Sequence, residues 1–260
     1  MSHNPRHQRI VALLHSLRRL TVSELAGRLE VSEVTIRKDL SVLEERGVVQ
    51  RSHGAATLAQ DLEPMAPVSR RSAQRHAAKE RIAAAAVAMV ADGEVVAIDA
   101  GSTTLEVARL LARRPVRVVT NSLPAAQELA SGAEATLTLL GGSYRVEAGS
   151  FIGPITEQAI AGMRLDLALI GATAFTADGR FYTQNATEGQ AKAGLLKVAR
   201  RRVVVADSSK CNGRAFALFA SPDIVDVLIT DAPFEGMDEL QRSGIELLVA
   251  DPLSVKGSDA

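Results

Sequence analysis

The sequence predicts an α/β chain in two parts, a small three-helix unit with a β wing followed by a larger, mostly parallel α/β domain. Two patterns predict it. Up to about residue 57 apolar residues recur at helical spacing, and from Lys79 onward helix-like stretches alternate with short β-branched runs that are apolar throughout. Length agrees, since 260 residues exceed the roughly 100 to 150 of a typical domain and leave room for two.

In residues 1–57 three short helices are predicted from Ile10, Leu13, Leu14 and Leu17, then Val22, Leu25, Ala26 and Leu29, then Ile36, Leu40 and Leu43. Ser23 stands ahead of Glu24 and Leu25 at the second helix. Ser32 is placed to cap the third, with Thr35 at its third position and Gly47 as its stop. Only a tight turn fits between Leu29 and Ser32. After Gly47, VVQRSHGAATL reads as two strands with a turn at His53-Gly54, which completes a winged helix-turn-helix.

If Ile36, Leu40 and Leu43 face the core, then at about 100° per residue Val34, Arg37, Lys38 and Ser41 face outward. Such a helix fits the major groove of DNA, where Arg or Lys donates to guanine edges and hydroxyls hold phosphates. Arg37 is the first candidate for a base contact and Lys38 the second. Ser32 and Thr35 fall near the phosphate backbone, and Arg51 on the wing is within reach of adjacent phosphates. Three-helix units also serve as docking modules, and exposed basic residues are commonly just solvated. Nine basic against six acidic residues up to Ala56 give +3, in a chain whose net charge is zero; so modest an excess is by itself more often a solvated surface than a polyanion site, and the weight falls on where the basic residues lie.

Residues 58–76 carry two prolines and little periodicity, and read as a linker. Residues 77–260 are expected to form the α/β domain, with helices near 77–91, 103–113, 122–131, 155–163, 187–200 and 236–243. Between them lie the strands VVAIDA, VRVVTN, TLTLLGG, LDLALIGA, RRVVVADS, VDVLITD and IELLVA, apolar throughout as parallel strands covered on both faces are. Strand ends in such sheets gather ligands. After the first strand, Asp99, Gly101, Ser102, Thr103 and Thr104 open a helix, where free amides and hydroxyls suit an anion such as phosphate. Thr120, Asn121, Gly141, Gly142, Gly171 and Lys210 follow other strands. Lys192 and Lys210 are suited to neutralise a phosphate, and Asp99, Asn121 and Glu188 to hold sugar hydroxyls. A turn or cap role is the alternative for each residue singly. The segment is neither a Walker A loop nor GxGxxG, so nucleotide binding has no motif support.

RHQRIVALLHSLRRLTVSELAGRLEVSEVTIRKDLSVLEERGVVQRSHGAA closely resembles the N-terminal domain of the DeoR family of bacterial transcription regulators, most specifically in VS..TIRKDL..LE..G...R.HG. Lys38 stands where the family more often has arginine, and Ala55 where a glycine is usual; lysine keeps the charge but lacks the planar two-donor fork. DAGSTT, TNSLPAAQELA, LLGGSYRVEAGSFIGP, LIGATAFTADG and VVVADSSK resemble the family's C-terminal effector domain, itself similar to ribose-5-phosphate isomerase and glucosamine-6-phosphate deaminase. The resemblance implies a phosphosugar isomerase-like sensor domain, double-stranded operator DNA and a phosphorylated sugar as partners, and a repressor of a carbohydrate operon. It also implies that catalysis is lost. Where the isomerase has Asp-Gly-Ala-Asp this chain has Ile170, Gly171, Ala172 and Thr173, and its catalytic glutamate falls at Lys192, whose ammonium is no carboxylate base. The alternative is a phosphosugar isomerase or deaminase carrying a DNA-binding domain.

No cofactor, metal site or catalytic residue is expected. A single cysteine, Cys211, excludes an internal disulfide or multi-cysteine cluster, and 3% aromatics without Trp leave little for base or sugar stacking. The longest apolar run, Ile82–Ala91, is about half a membrane span. The N-terminus lacks the build of a secretory signal, so a cytoplasmic protein without membrane contact is expected. Two readers on a tethered dimer gain effective concentration on a two-fold operator, so a homodimer or homotetramer is expected.

Overall fold

In a computed structural model of the chain, which describes residues 5–17, 19–45, 48–52, 54–58 and 68–250, the backbone separates into two units, Met1–Pro64 and Met65–Ala260. The first unit runs α1 (Pro5–Leu17), β1 (Arg19–Thr21), α2 (Val22–Leu29), α3 (Glu33–Glu45), β2 (Val49–Ser52) and β3 (Ala55–Leu58). Ile10, Leu14, Leu25, Ile36, Leu40 and Leu43 close its core, so the predicted inward faces meet. The strands form an antiparallel sheet in the order β1-β3-β2. β1 was not anticipated: it is three residues long, with only Leu20 buried between exposed Arg19 and Thr21, too short to register as a period.

Helix starts are decided by side chains. Thr21, not Ser23, caps α2: its Oγ1 accepts the Glu24 amide at 3.2 Å while Glu24 Oε2 accepts the Thr21 amide at 2.7 Å. Ser32 caps α3 through the Thr35 amide at 3.2 Å, and the tight turn between α2 and α3 is made by Glu30 at φ 55°. The expected stop at Gly47 and turn residue His53 lie outside the described residues. Asp39, on α3, is buried and ties that helix to α1, accepting Arg6 Nε at 2.5 Å and Nη2 at 3.0 Å, with His7 Nε2 at 3.0 Å. Burial works to raise the Asp39 pKa, but Arg6 and His7 outweigh it and hold the carboxyl below its ordinary value.

The second unit is built from α4 (Val68–Ala73), α5 (His76–Ala88), β4 (Val95–Ile98), α6 (Ser102–Leu111), β5 (Arg117–Thr120), α7 (Leu123–Ser131), β6 (Thr136–Leu139), β7 (Ser143–Arg145), β8 (Ser150–Ile152), α8 (Pro154–Ala161), β9 (Leu165–Gly171), β10 (Ala174–Phe175), β11 (Phe181–Thr183), α9 (Ala186–Val198), β12 (Ala199–Val205), β13 (Ala217–Ala220), β14 (Val227–Thr230), α10 (Met237–Arg242) and β15 (Glu246–Val249). Seven parallel strands form one sheet in the order β15-β14-β12-β9-β4-β5-β6. The pleat sorts the core into two layers. Val96, Ile98, Leu167, Leu169, Val203 and Val205 pack on one side with α5, α6 and α7; Ala97, Ala168, Ile170 and Val204 pack on the other with Ile160, Leu195 and Leu240 from α8, α9 and α10. This is a doubly wound sheet whose strand order reverses between β4 and β9, and such a reversal opens a crevice at the strands' carboxyl ends.

The linker expectation for residues 58–76 fails in its second half. Val68–Ala73 is helical, with Val68 in the core against α6-side residues, and α5 begins at His76. α4 is only six residues long and breaks from α5 at Gln74–Arg75, so it has no long apolar period to read. The hairpin β7-β8 and the antiparallel set β10-β11-β13 were likewise unread, because each strand is only two to four residues long.

Candidate functional site

On α3 the side chains that avoid the core are those the helical period predicts. Val34 is 62% exposed, Arg37 and Lys38 are exposed, and Ser41 is half-buried. Arg37 Nη2 donates to Glu33 Oε2 at 2.9 Å, one turn earlier. Ser41 Oγ donates to the Arg37 carbonyl at 2.9 Å and accepts Arg51 Nη1 at 2.9 Å, and the Arg51 amide donates to Glu44 Oε1 at 3.2 Å. The wing is thereby fastened to the helix it flanks. Arg37, Arg51 and Glu33 border a hollow of about 360 Å³ with Thr21, Ser23 and Gly54. Ser32 and Thr35 are joined by a 2.8 Å hydroxyl contact at the helix start. All seven residues predicted for this face fall on α3, its cap or β2.

In the second unit, β4 delivers Asp99 to the strand-order reversal. Its carboxylate accepts the Gly171 amide from the end of β9 at 2.8 Å and pairs with Lys192 Nζ, which also donates to the Gly171 carbonyl at 2.9 Å. Both side chains are buried, and the pair clamps β4, β9 and α9 together. Thr104 Oγ1 donates to the Asp99 carbonyl at 2.8 Å. Asp99 and Thr104 are thus consumed in shaping the turn rather than offered to a ligand.

Above this clamp lies a cleft of about 500 Å³. Of the residues predicted for it, Gly101, Ser102, Thr103, Gly171, Glu188, Lys192 and Lys210 line it. Gly101 is the N-cap of α6 and brings no side-chain hydrogen bond, so the first turn of a ten-residue helix opens into the cleft with its dipole unsealed. Thr120, Asn121, Gly141 and Gly142 are not among the lining residues. Thr120 Oγ1 accepts the Ser122 amide at 3.1 Å, Asn121 Nδ2 donates to the Phe151 carbonyl at 2.9 Å, and the Gly141 carbonyl accepts Thr156 Oγ1 at 2.7 Å. Gly142, at φ 147°, passes so close to Thr156 and the Ile152 carbonyl that a Cβ would collide with both. These four shape the loops beside β8 and α8.

Sequence reasoning left Arg71, Gln74, Arg75 and Lys79 in or beside a linker, yet all four line the cleft. Their signal was a spacing of four between Arg71, Arg75 and Lys79, masked by the break between α4 and α5. Arg75 pairs with Asp207 at 3.3 Å and Asp231 at 2.9 Å. Burial and the contacts oppose each other at Asp231, where the Ser208 amide and Arg75 win and keep the carboxyl low. Lys79 is buried, with Nζ donating to the Arg71 and Gln74 carbonyls. Burial pulls its pKa down; Asp207 opposes this, while Lys210 and Arg71 add to it. Burial likewise lowers Arg71, against the pull of Glu188 and Asp99. Five basic side chains line the cleft against two acidic ones, Glu188 and Asp207, an environment that an anion would relieve.

Comparison with known proteins decides the family. The DeoR-like helix-turn-helix domain model matches residues 6–61, and the DeoR C terminal sensor domain model matches residues 74–232. The HTH-type transcriptional regulator GlpR of Haloferax volcanii is 33% identical over 246 residues, covering 94% of this chain and 96% of its own. The chain belongs to the DeoR family of transcriptional regulators. Other DeoR-like relatives include a putative aga operon transcriptional repressor of Escherichia coli O157:H7, 30% identical over 94% of this chain and 93% of its own. The transcriptional repressor AccR of Agrobacterium fabrum is 32% identical over 87% and 89%. Ribose 5 phosphate isomerase A from Neisseria gonorrhoeae is 19% identical, with a TM-score of 0.37 over 51% of this chain and 52% of its own, too distant to carry function. As a DeoR-family member the chain is a DNA-binding regulator and not an enzyme, which settles the isomerase alternative. Among the described residues no helix is long and apolar enough to cross a membrane.

Proposed function

We propose that this regulator is a cytoplasmic repressor of a carbohydrate operon that reads double-stranded operator DNA with α3 and the wing, and is released by a phosphorylated sugar held in the cleft. On the DNA side, Arg37 and Lys38 take base edges, Ser32, Thr35 and Arg51 take phosphates, and Val34 and Ser41 complete the face. On the effector side the phosphate sits on the first turn of α6 with Ser102, Thr103 and Lys210, while Glu188 faces the sugar. The single observation that carries the effector reading is the unsealed helix start opening into the same cleft as Lys210, Arg71 and Lys79.

The control is linkage: an effector lowers operator affinity only by the difference between its affinities for the DNA-competent and DNA-incompetent states. Arg71 and Arg75 are the first basic cleft residues to follow the reader in sequence, so the coupling is placed, from sequence position, in the Pro-containing linker and Arg70 to Arg75. A homodimer or homotetramer presents paired readers to a two-fold operator. The test is a thermal-shift screen of the full chain against phosphorylated sugars with the unphosphorylated sugars as controls. A true effector at ~100 times its dissociation constant stabilises by about 2.7 kcal/mol. The shift is expected to need the phosphate and to vanish in Lys210→Ala and Ser102→Ala. Silence across the panel would sink the phosphate cradle while leaving the DNA reader standing.

A further inference from the structure

Val34 occupies a costly position. A β-branched residue loses side-chain freedom in a helix, and here it gains no burial in return: at 62% exposure it is the most exposed large apolar side chain among the described residues of the first unit. Scattered apolar atoms are ordinary on protein surfaces, so its setting matters more than its exposure. Val34 is the second residue of α3, in the first turn, where helix-turn-helix recognition helices meet base edges. Its neighbours one turn on are Arg37 and Lys38, both exposed, so the one apolar side chain on this face lies beside two cations. The Ser32 cap fixes the helix start beneath it. Glu33, the preceding residue, is engaged with Arg37, leaving the valine methyls as the free feature of that first turn.

In the major groove only thymine offers an apolar group, its 5-methyl. Resting on the reading of α3 as the DNA-reading helix, we propose that Val34 is a specificity-determining residue that packs on a thymine methyl in each operator half-site. Arg37 and Lys38 then supply affinity and guanine contacts, while Val34 excludes cytosine, which presents no methyl at that place. Burial of one methyl against the valine corresponds to about a three- to tenfold change in affinity.

The full chain is first used to enrich duplexes from a pool with a randomised centre. On the enriched duplex each thymine is then replaced in turn by deoxyuridine, which removes only the 5-methyl, and affinity is read by fluorescence anisotropy. One thymine, or one symmetry-related pair, is expected to matter: its replacement weakens the wild-type chain by about three- to tenfold. In Val34→Ala the same replacement has no further effect, and the variant binds the thymine duplex as weakly as the wild type binds the uracil one. Because Val34 is exposed, the variant is expected to melt with the parent, which a thermal scan checks. Uracil tolerance at every thymine, or equal uracil sensitivity in both proteins, overturns the assignment of Val34 alone. Failure to enrich any duplex overturns the reading of α3 and this proposal with it.

Discussion

On α3, Arg37 stands in water and takes its partner Glu33 four residues away; in the cleft, Lys192 is buried and takes its partner Asp99 from 93 residues away. The first pair is local, screened and dispensable to the fold. The second exists only because β4, β9 and α9 have already come together, and each charge is uncompensated without the other. Under the proposed function, binding is separable from stability on the α3 face and fused with it in the cleft. The two helix starts repeat the contrast: Ser32 seals α3, whereas Gly101 leaves α6 open.

The contrast breaks most easily at Lys192. Lys192→Met leaves Asp99 buried without its cation and is expected to cost about 3–5 kcal/mol, seen as a lowered melting temperature of the second unit; a melt unchanged from the parent would show the pair to be as dispensable as the one on α3. Adding Asp99→Asn to that variant is expected to restore part of the loss.

A smaller effect is expected at Asp39, a buried charge on α3. Asp39→Asn weakens the link to Arg6 and His7 and is expected to destabilise the first unit by about 1–2 kcal/mol, less than a fully buried pair because Arg6 is partly exposed. Its pH dependence has a definite sign. The folded-state pKa is depressed, so the contribution is complete above the ordinary carboxylate value of about 4 and is lost as pH falls through the folded value. Acid melts of the parent and Asp39→Asn are expected to converge at low pH; parallel curves would deny the ion pair its role.

Thr21→Ala removes the α2 cap and is expected to cost about 1 kcal/mol in a denaturant titration. The smallest change in stability belongs to Arg37→Ala, expected within about 0.5 kcal/mol of the parent, while binding to a selected duplex weakens by about 1–3 kcal/mol. A variant that loses stability and binding together would erase the distinction between the two regions.

Legibility followed the same division. The inward positions Ile36, Leu40 and Leu43 and the outward positions Val34, Arg37 and Lys38 were readable because a helix repeats every 3.6 residues and needs no partner to define its faces. The seven parallel strands were readable as apolar runs for a similar reason. Thr21 was missed as a cap because Ser23 offers the same chemistry two residues later, and the choice depends on where β1 ends. Arg71 and Arg75 were missed because α4 is only six residues long and breaks before α5, and Lys79 because the helix expected over 77–91 gave no sign of which side faces the cleft. Asn121, Gly141 and Gly142 sat at strand ends as expected, but their hydrogen bonds and close contacts turn them toward β8 and α8 instead of the cleft.

By itself the sequence determined the periodic elements, the capped and basic α3, and the Gly-Ser-Thr turn at the head of α6, since propensity, capping and amphipathicity act over one or two helical turns. The tertiary structure alone decided the reversal of strand order between β4 and β9, the pairing of Asp99 with Lys192, and the return of the α4–α5 cations to the cleft. Those contacts join residues tens of positions apart, and their energies appear only after the chain entropy of bringing the strands together has been overcome.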